Sequence, residues 1–283
     1  MKNRMLFFLL LLSFVLLVSC GKSSRSSGIN KKDNEIVQVQ KKVSSIKNGE
    51  SNKDIWKNKI KNLDTVNIQN DSVYYNISTT VDSLAANSQA VIEGEIVNLE
   101  EMTGAKNTAV TKVTVDIKNV LRGNEKLTGA TVKVIMRGGT VTVKNLYAGM
   151  EERAIAGGFP YEQKKNEKVF VKDSQIPLPS IGSNIVTGIN LNLSNTVDQA
   201  YNIYLEKNGL GGNDSYSIST PEYNIWKQEG KKYVLNNPRL NSTSDKYLDS
   251  VLPEDLNNDS GDEVLANKLN LMTDEINHEI HND

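Results

Sequence analysis

The spacing of apolar and polar positions changes several times along the chain. "MLFFLLLLSFVLLV" runs unbroken from Met5 to Val18 behind Lys2 and Arg4. A basic start, a short apolar core and small residues at its end have the form of a secretory signal peptide. The run falls short of the ~20 apolar residues that a membrane-spanning helix needs. From Gly21 the chain turns polar and rich in Ser, Lys and Asn, which predicts a largely disordered tether, with order beginning near Tyr74. In "TTVDSLAANS", 79 to 88, Val81, Leu84 and Ala85 share a helical face, and Thr80 and Ser83 read as N-cap and first turn.

A period of two then takes over. "QAVIEGEIVNL" opens it, with Gly94 marking a bulge or barrel corner. Val113, Val115 and Ile117 alternate with Thr114, Asp116 and Lys118, and Val132 and Val134 with Thr131 and Lys133. "TVTV" at 140 to 143, "AYNIYLEKNG", "DSYSIST" and "EYNIWKQEGKKYVL" continue the strand reading. Glu229-Gly230-Lys231 reads as a tight hairpin between the last two. Between 144 and 198 the pattern weakens into a long excursion with one helical turn. Near the end, Ser260 and Glu263 form a capping-box sequence, and Leu265, Leu269, Met272, Ile276 and Ile280 fall on one stripe. An amphipathic helix over about 261–280 is expected, packed on its own domain.

Many strands and few helices predict a mainly β fold: a small antiparallel barrel preceded by a short helix and followed by that amphipathic helix. The chain divides into a signal peptide (1–19), a flexible tether (20–76), a β module (77–240) and an acidic tail (241–283).

The single cysteine lies at the end of the apolar run. Leu17-Val18-Ser19-Cys20 resembles the lipobox of bacterial lipoproteins, an aliphatic residue and two small or aliphatic ones before an invariant Cys. The resemblance implies diacylglycerol transfer to the Cys20 sulfur and cleavage before Cys20, often with acylation of the new amino group. A thiolate is a good nucleophile for such a transfer, and two or three chains anchor where one holds only marginally. The expected location is the extracytoplasmic face of the cell membrane, with the membrane as partner through the lipid on Cys20. A tether of ~55 residues would reach ~40 Å.

Three stretches carry a second resemblance: Leu84-Ala-Ala-Asn-Ser-Gln-Ala-Val-Ile-Glu-Gly-Glu-Ile-Val97, Thr111-Lys-Val-Thr-Val-Asp-Ile-Lys-Asn-Val-Leu-Arg-Gly123 and Gly129-Ala-Thr-Val-Lys-Val-Ile-Met-Arg-Gly-Gly139. Over roughly 80 to 236 the chain is similar to a module of uncharacterised lipoproteins from low-GC Gram-positive bacteria. Tyr201-Asn-Ile-Tyr-Leu205 fits a later strand of that module without its usual preceding Gly, and Arg122 stands where Lys is usual. The resemblance implies a small β-barrel similar to an oligonucleotide/oligosaccharide-binding barrel. It supplies no catalytic residues.

Composition sharpens the setting. Cleavage would leave 264 of the 283 residues, with no thiol beyond Cys20 and therefore no disulfide, so the core must hold the fold. The net charge of −1 hides a polarity: residues 21 to 62 hold eleven Lys or Arg against four acids, and residues 244 to 283 hold two Lys against eleven acids. The basic segment could rest on anionic head groups or wall polymers, although a solvated spacer is the plainer reading. Export makes nucleic acid an unexpected partner.

Catalytic chemistry is sparse. The only histidines, His278 and His281, lie outside the β module, which excludes serine–histidine and cysteine–histidine catalysis there, and His-based zinc sites. No P-loop or dinucleotide fingerprint appears, and no cofactor or metal is expected. Glu93 and Glu95, two apart on one strand, share a face, and Glu100 and Glu101 follow. A carboxylate pair about 5–9 Å apart would serve a hydrolase of envelope material, against the plainer reading of a solvated face. Asp255-Leu-Asn-Asn-Asp-Ser-Gly-Asp-Glu263 resembles the start of a calcium loop, but Gly261 stands at position seven instead of six and Ala266 occupies position twelve. His278, His281, Glu275 and Glu279 have helical spacing for a weak metal site, against a frayed tail. Tyr201, Tyr204, Tyr216, Tyr223, Trp226 and Tyr233 concentrate aromatics late in the chain. An exposed row there would suit sugar stacking or a protein contact, against ordinary sheet packing. The expected function is a lipid-anchored binding or interaction module, for a protein or wall polymer, with the carboxylate hydrolase as the alternative.

Overall fold

The computed structural model describes residues 51–68, 76–192, 198–211, 214–240 and 260–282. The stretch expected to be a signal peptide, Cys20 and residues Asp255–Asp259 of the calcium-loop candidate lie outside them. Among the described residues there are ten strands: β1 (Asp64–Ile68), β2 (Ala90–Glu101), β3 (Val110–Gly123), β4 (Thr131–Arg137), β5 (Gly139–Thr142), β6 (Lys168–Asp173), β7 (Asn184–Leu191), β8 (Ser215–Ser217), β9 (Ile225–Glu229) and β10 (Lys232–Leu235). The helices are α1 (51–60), α2 (Val81–Ala86), α3 (Val143–Leu146), α4 (Glu151–Ala156), α5 (Tyr161–Lys164), α6 (Gln199–Lys207) and α7 (Ser260–Asn282).

The period-two residues form the wall of a barrel. β2, β3, β4, β8 and β7 pair in that order, and β7 returns to β2, which closes a five-stranded ring. Four of its five pairings are antiparallel; β4 and β8, joined through a long crossover, run parallel. This is a small Greek-key barrel of the oligonucleotide/oligosaccharide-binding kind. Ile92, Val113, Val115, Ile117, Val132, Val134, Ile185 and Ile189 fill the core within it. At Gly94 the β2–β3 register shifts, and β3 comes so near that a Cβ there would lie 2.5 Å from Val115 Cγ1 and 2.9 Å from the Asp116 carbonyl oxygen. The glycine thus marks a barrel corner, as its place in a strand predicts.

A second cluster forms outside the ring. β9 and β10 extend the sheet from β7, and Val91, Val186, Trp226, Tyr233 and Leu235 pack against Val81 and Leu84 of α2 and Leu269, Met272 and Ile276 of α7. The terminal stripe therefore covers its own domain: Leu269, Met272 and Ile276 are buried, while Leu265 and Ile280 flank them. α2 starts as expected, with a reciprocal capping box between Thr80 and Ser83. Gly230, at φ 63°, takes the first loop position of the β9–β10 hairpin.

Three expectations need correction. Order begins well before Tyr74: α1 and β1 stand where a flexible tether was expected, and α1 seats Trp56, with Ile60 one turn on, against the barrel core. Two apolar residues on one face of a helix are too few to lift a polar segment above the composition of a tether. As far as it is described, over 144–192, the 144–198 stretch is not an irregular excursion. It holds most of α3, then α4, α5, β6 and β7, and its β6 joins β1 and β5 from outside the stretch in a three-stranded sheet β1–β6–β5, over a core of Val141, Val143, Leu146, Tyr161, Val169 and Val171. β7 escapes a period-two reading because Ile185 to Ile189 are all buried, so no polar face alternates. Finally, "AYNIYLEKNG" forms α6 instead of a strand. Tyr201, Tyr204 and Leu205 also fit a helical period, and the Asp198 side chain accepts the Tyr201 N–H and starts the helix.

Candidate functional site

α6 lies across the outer face of β3 and β4. Leu205 and Leu210 are buried against Met102, Val110 and Ile135, with Tyr204 beside them. Its C-terminal end is held from three sides. The Asn208 side chain accepts the Thr103 N–H at 2.8 Å and donates to the Thr103 carbonyl at 3.2 Å, which ties the helix to the β2–β3 loop. Lys112 donates to the Asn208 carbonyl at 3.1 Å and Lys133 to the Gly209 carbonyl at 3.3 Å. Lysines at the carbonyl end of a helix suit its dipole. Each is also ion-paired, Lys112 with Glu100 and Lys133 with Asp214.

The face that a barrel of this kind offers between its second and third strands is thus mostly covered by the chain's own helix. A cleft of about 410 Å³ remains at one end, lined by Gly104, Ala105, Lys106 and Thr108 of the β2–β3 loop, Val110, Ile135, Tyr201 and Tyr204. Its walls are almost wholly apolar. The two tyrosine rings stand 6.4 Å apart, centre to centre, at 30°. Tyr201 is 39% exposed, whereas the Tyr204 hydroxyl is buried with no hydrogen-bond partner among the described residues. Burial, with a smaller contribution from Tyr201, pushes the Tyr204 phenol up to about 12. Burial alone raises Tyr201. The cleft thus offers mainly aromatic and aliphatic surface.

The aromatics do not form one exposed row. Tyr201 and Tyr204 meet on α6, but Tyr216 on β8 faces the barrel core, and Trp226 on β9 is fully buried under α7, donating to Thr273 Oγ1 at 2.8 Å. Tyr223 packs at the edge of that same outer cluster, and Tyr233 is buried in it. Aromatic residues in strands favour packing, and here it claims all but the helical pair.

The two paired-carboxylate candidates are each engaged by the fold. Glu93 is buried and accepts the Tyr233 hydroxyl at 2.6 Å and the Asn119 side-chain amide at 2.5 Å, while Glu95 pairs with Lys118 at 2.9 Å. Burial and the bond to Glu93 hold the Tyr233 phenol well above its ordinary range. Glu101 bridges Lys59 and Lys168 at 2.8 and 2.7 Å. Burial pushes Glu101 up, but the two lysines outweigh it and hold it below the usual carboxylate range.

At the far end of α7, a cleft of about 680 Å³ lies among Asn119–Arg122, Glu125, Thr128 and His278–Ile280. It is crossed by a two-pronged ion pair from Arg122 to Glu279, with bonds of 3.0 and 2.6 Å. Glu275 accepts the Val81 N–H at 3.3 Å, and both ring nitrogens of His281 lie 2.6 Å from backbone carbonyls, of Asn277 and Lys231. The helical acids and His281 thus serve packing contacts, and no metal-binding cluster occurs among the described residues.

The sequence marks Tyr201 and Tyr204 as aromatics but not as a pair on a covering helix, and the β2–β3 loop residues carry no sequence signal beyond Gly104. Among the described residues, no helix is long and apolar enough to cross a membrane. Compared with protein-family models, curated proteins and solved structures, the chain matches none.

Proposed function

We propose that the chain is a lipid-anchored protein of the extracytoplasmic surface, related to bacterial lipoproteins, whose barrel is a binding module. Cys20 carries the lipid, and the ligand enters the cleft between the β2–β3 loop and α6. The observation that carries this reading is the apolar cleft itself, lined by the exposed Tyr201 ring and by Tyr204, whose hydroxyl is buried and has no hydrogen-bond partner among the described residues. The occupant that suits it is a neutral group with an apolar face and a hydroxyl or carbonyl: a sugar ring of a wall polymer, or a side chain of a partner protein.

Two measurements test the two halves. Palmitate labelling of growing cells should be lost in Cys20→Ala; unchanged labelling removes the anchor. A photo-crosslinking residue at position 201 should capture envelope material in intact cells, while the same residue at the remote, exposed position 126 should not. Equal capture at both positions, or capture that persists in Tyr204→Ala, removes the cleft as the binding site.

A further inference from the structure

Thr273, Asn277 and His281 follow one another on α7 at steps of four, so their side chains lie on one side of the helix. Each meets the β9–β10 hairpin. Thr273 Oγ1 accepts the Trp226 indole N–H, and Asn277 exchanges two bonds with the Tyr233 backbone. One turn further on, His281 Nε2 lies 2.6 Å from the Lys231 carbonyl, two residues back along the hairpin. Four residues of helix rise about 6 Å and two residues of strand about 6.6 Å, so the helix and the strand edge stay in step.

Of these three contacts only the last depends on a proton. The Asn277 carbonyl lies 2.6 Å from His281 Nδ1, so both ring nitrogens face a carbonyl oxygen. A carbonyl only accepts, and a neutral imidazole carries a single N–H. One of the two contacts would then set a nitrogen lone pair against an oxygen lone pair. The imidazolium carries two N–H groups and satisfies both. Short bonds are those of a charged donor, and the last turn of a helix favours a cation.

The charged groups around the ring come from four elements. The hairpin brings Glu229, paired with Lys227 at 3.0 Å, and Lys231 and Lys232, both exposed. β3 brings Arg122 and α2 brings Asp82, which pair with each other. α7 itself adds Glu279, held by the same Arg122, Glu275, bonded to the Val81 N–H, and His278, which lines the neighbouring cleft. The two exposed lysines oppose a charge on the ring, but water screens them, whereas the two carbonyls touch it.

We propose that His281 is a pH-dependent latch. Protonated, it fastens the last turn of α7 to the β9–β10 hairpin; neutral, it gives up one bond and the turn loosens. Residues His278–Ile280 of that turn line the cleft of about 680 Å³ against Asn119–Arg122, so the latch sets how firmly this cleft is closed. Fastening takes up a proton. It is therefore complete on the acid side and is lost as pH rises through the range in which an imidazole titrates, about pH 5 to 8. The change is local, because Leu269, Met272, Ile276 and Asn277 hold the rest of α7 at any pH in that range. The latch rests on neither the lipid anchor nor the cleft beside Tyr201.

The test uses the full chain with Cys20→Ser, and with His278→Gln so that His281 is the one histidine. Amide hydrogen exchange is followed at pH 5.5 and pH 8.5 and corrected for the intrinsic effect of pH on exchange. Protection over 278–282 should fall on the order of tenfold between the two, the least that a bond to a charged group carries, while protection over 269–276 holds. Adding His281→Gln should bring 278–282 to the lower protection at both pH values. Protection over 278–282 that is the same at both, or that falls equally in the His281→Gln chain, overturns the proposal.

Discussion

Asn277 on α7 pairs with Tyr233 on β10 as a neighbouring strand would. Its side-chain oxygen accepts the Tyr233 N–H at 2.7 Å and its amide donates to the Tyr233 carbonyl at 2.8 Å. β10 is the last strand of its sheet, and an open edge is a template for unwanted pairing. One amide therefore closes the edge and fixes the register of the helix. Asn277→Ala should leave both backbone groups short of a partner and cost about 1–3 kcal/mol. Asn277→Asp keeps the acceptor but turns a carboxylate oxygen toward the Tyr233 and Thr273 carbonyls, which the amide donates to at 2.8 and 2.9 Å, and should cost more. Chemical denaturation of both variants checks the order; equal stability with the parent would mean that water replaces the amide at no cost.

Trp226 offers a sharper test of where the aromatics belong. It is fully buried beneath α7, and its indole N–H is bonded to Thr273. Trp226→Ala should cost about 3–5 kcal/mol through lost apolar burial and the cavity left behind, and loosen α7. Limited proteolysis within 260–282 should accelerate. A stable variant that lost only ligand binding would return Trp226 to the surface and contradict the packing.

The elements read correctly from the sequence share one property: each has one buried and one wet face. Val113, Val115 and Ile117 alternate because β3 has the barrel on one side, and Leu269, Met272 and Ile276 recur at helical spacing because only one side of α7 is covered. β7, buried on both sides, has no contrast to read, and α1 has too little apolar surface to stand out from its polar neighbours. α6 satisfies both periods over a few residues, and its cap at Asp198 decides between them. The cleft was least legible of all, because it is made by bringing a loop at 104–108 against a helix at 201–204.

Gly94 is held to glycine by the closeness of β3. Gly94→Ala would place a methyl 2.5 Å from Val115 Cγ1 and 2.9 Å from the Asp116 carbonyl. The side chain can shift but the carbonyl belongs to the ladder, so the barrel corner must open, at a cost of about 1–3 kcal/mol or more. Pairing Gly94→Ala with Val115→Ala relieves only the first contact and should recover little. Full recovery in the double variant, measured by thermal unfolding, would show that the backbone contact is soft.

The buried phenols set the alkaline limit of the fold. Burial raises Tyr204 to about 12, and burial with the bond to Glu93 raises Tyr233 further, against an ordinary value of 10.0 in the unfolded chain. A group whose folded value is raised binds its proton more tightly when folded, so its contribution is whole below the unfolded value and is lost as pH rises through the folded one. The phenols' contribution should therefore be flat up to about pH 10 and fall steadily from there through pH 12. Tyr204→Phe has no proton to lose at that position and should fall less steeply over the same range. Denaturation midpoints of parent and variant across this window decide it. Parallel curves would mean that the Tyr204 hydroxyl is open to water instead of buried, and the packing of Tyr204 between α6 and the barrel would be contradicted.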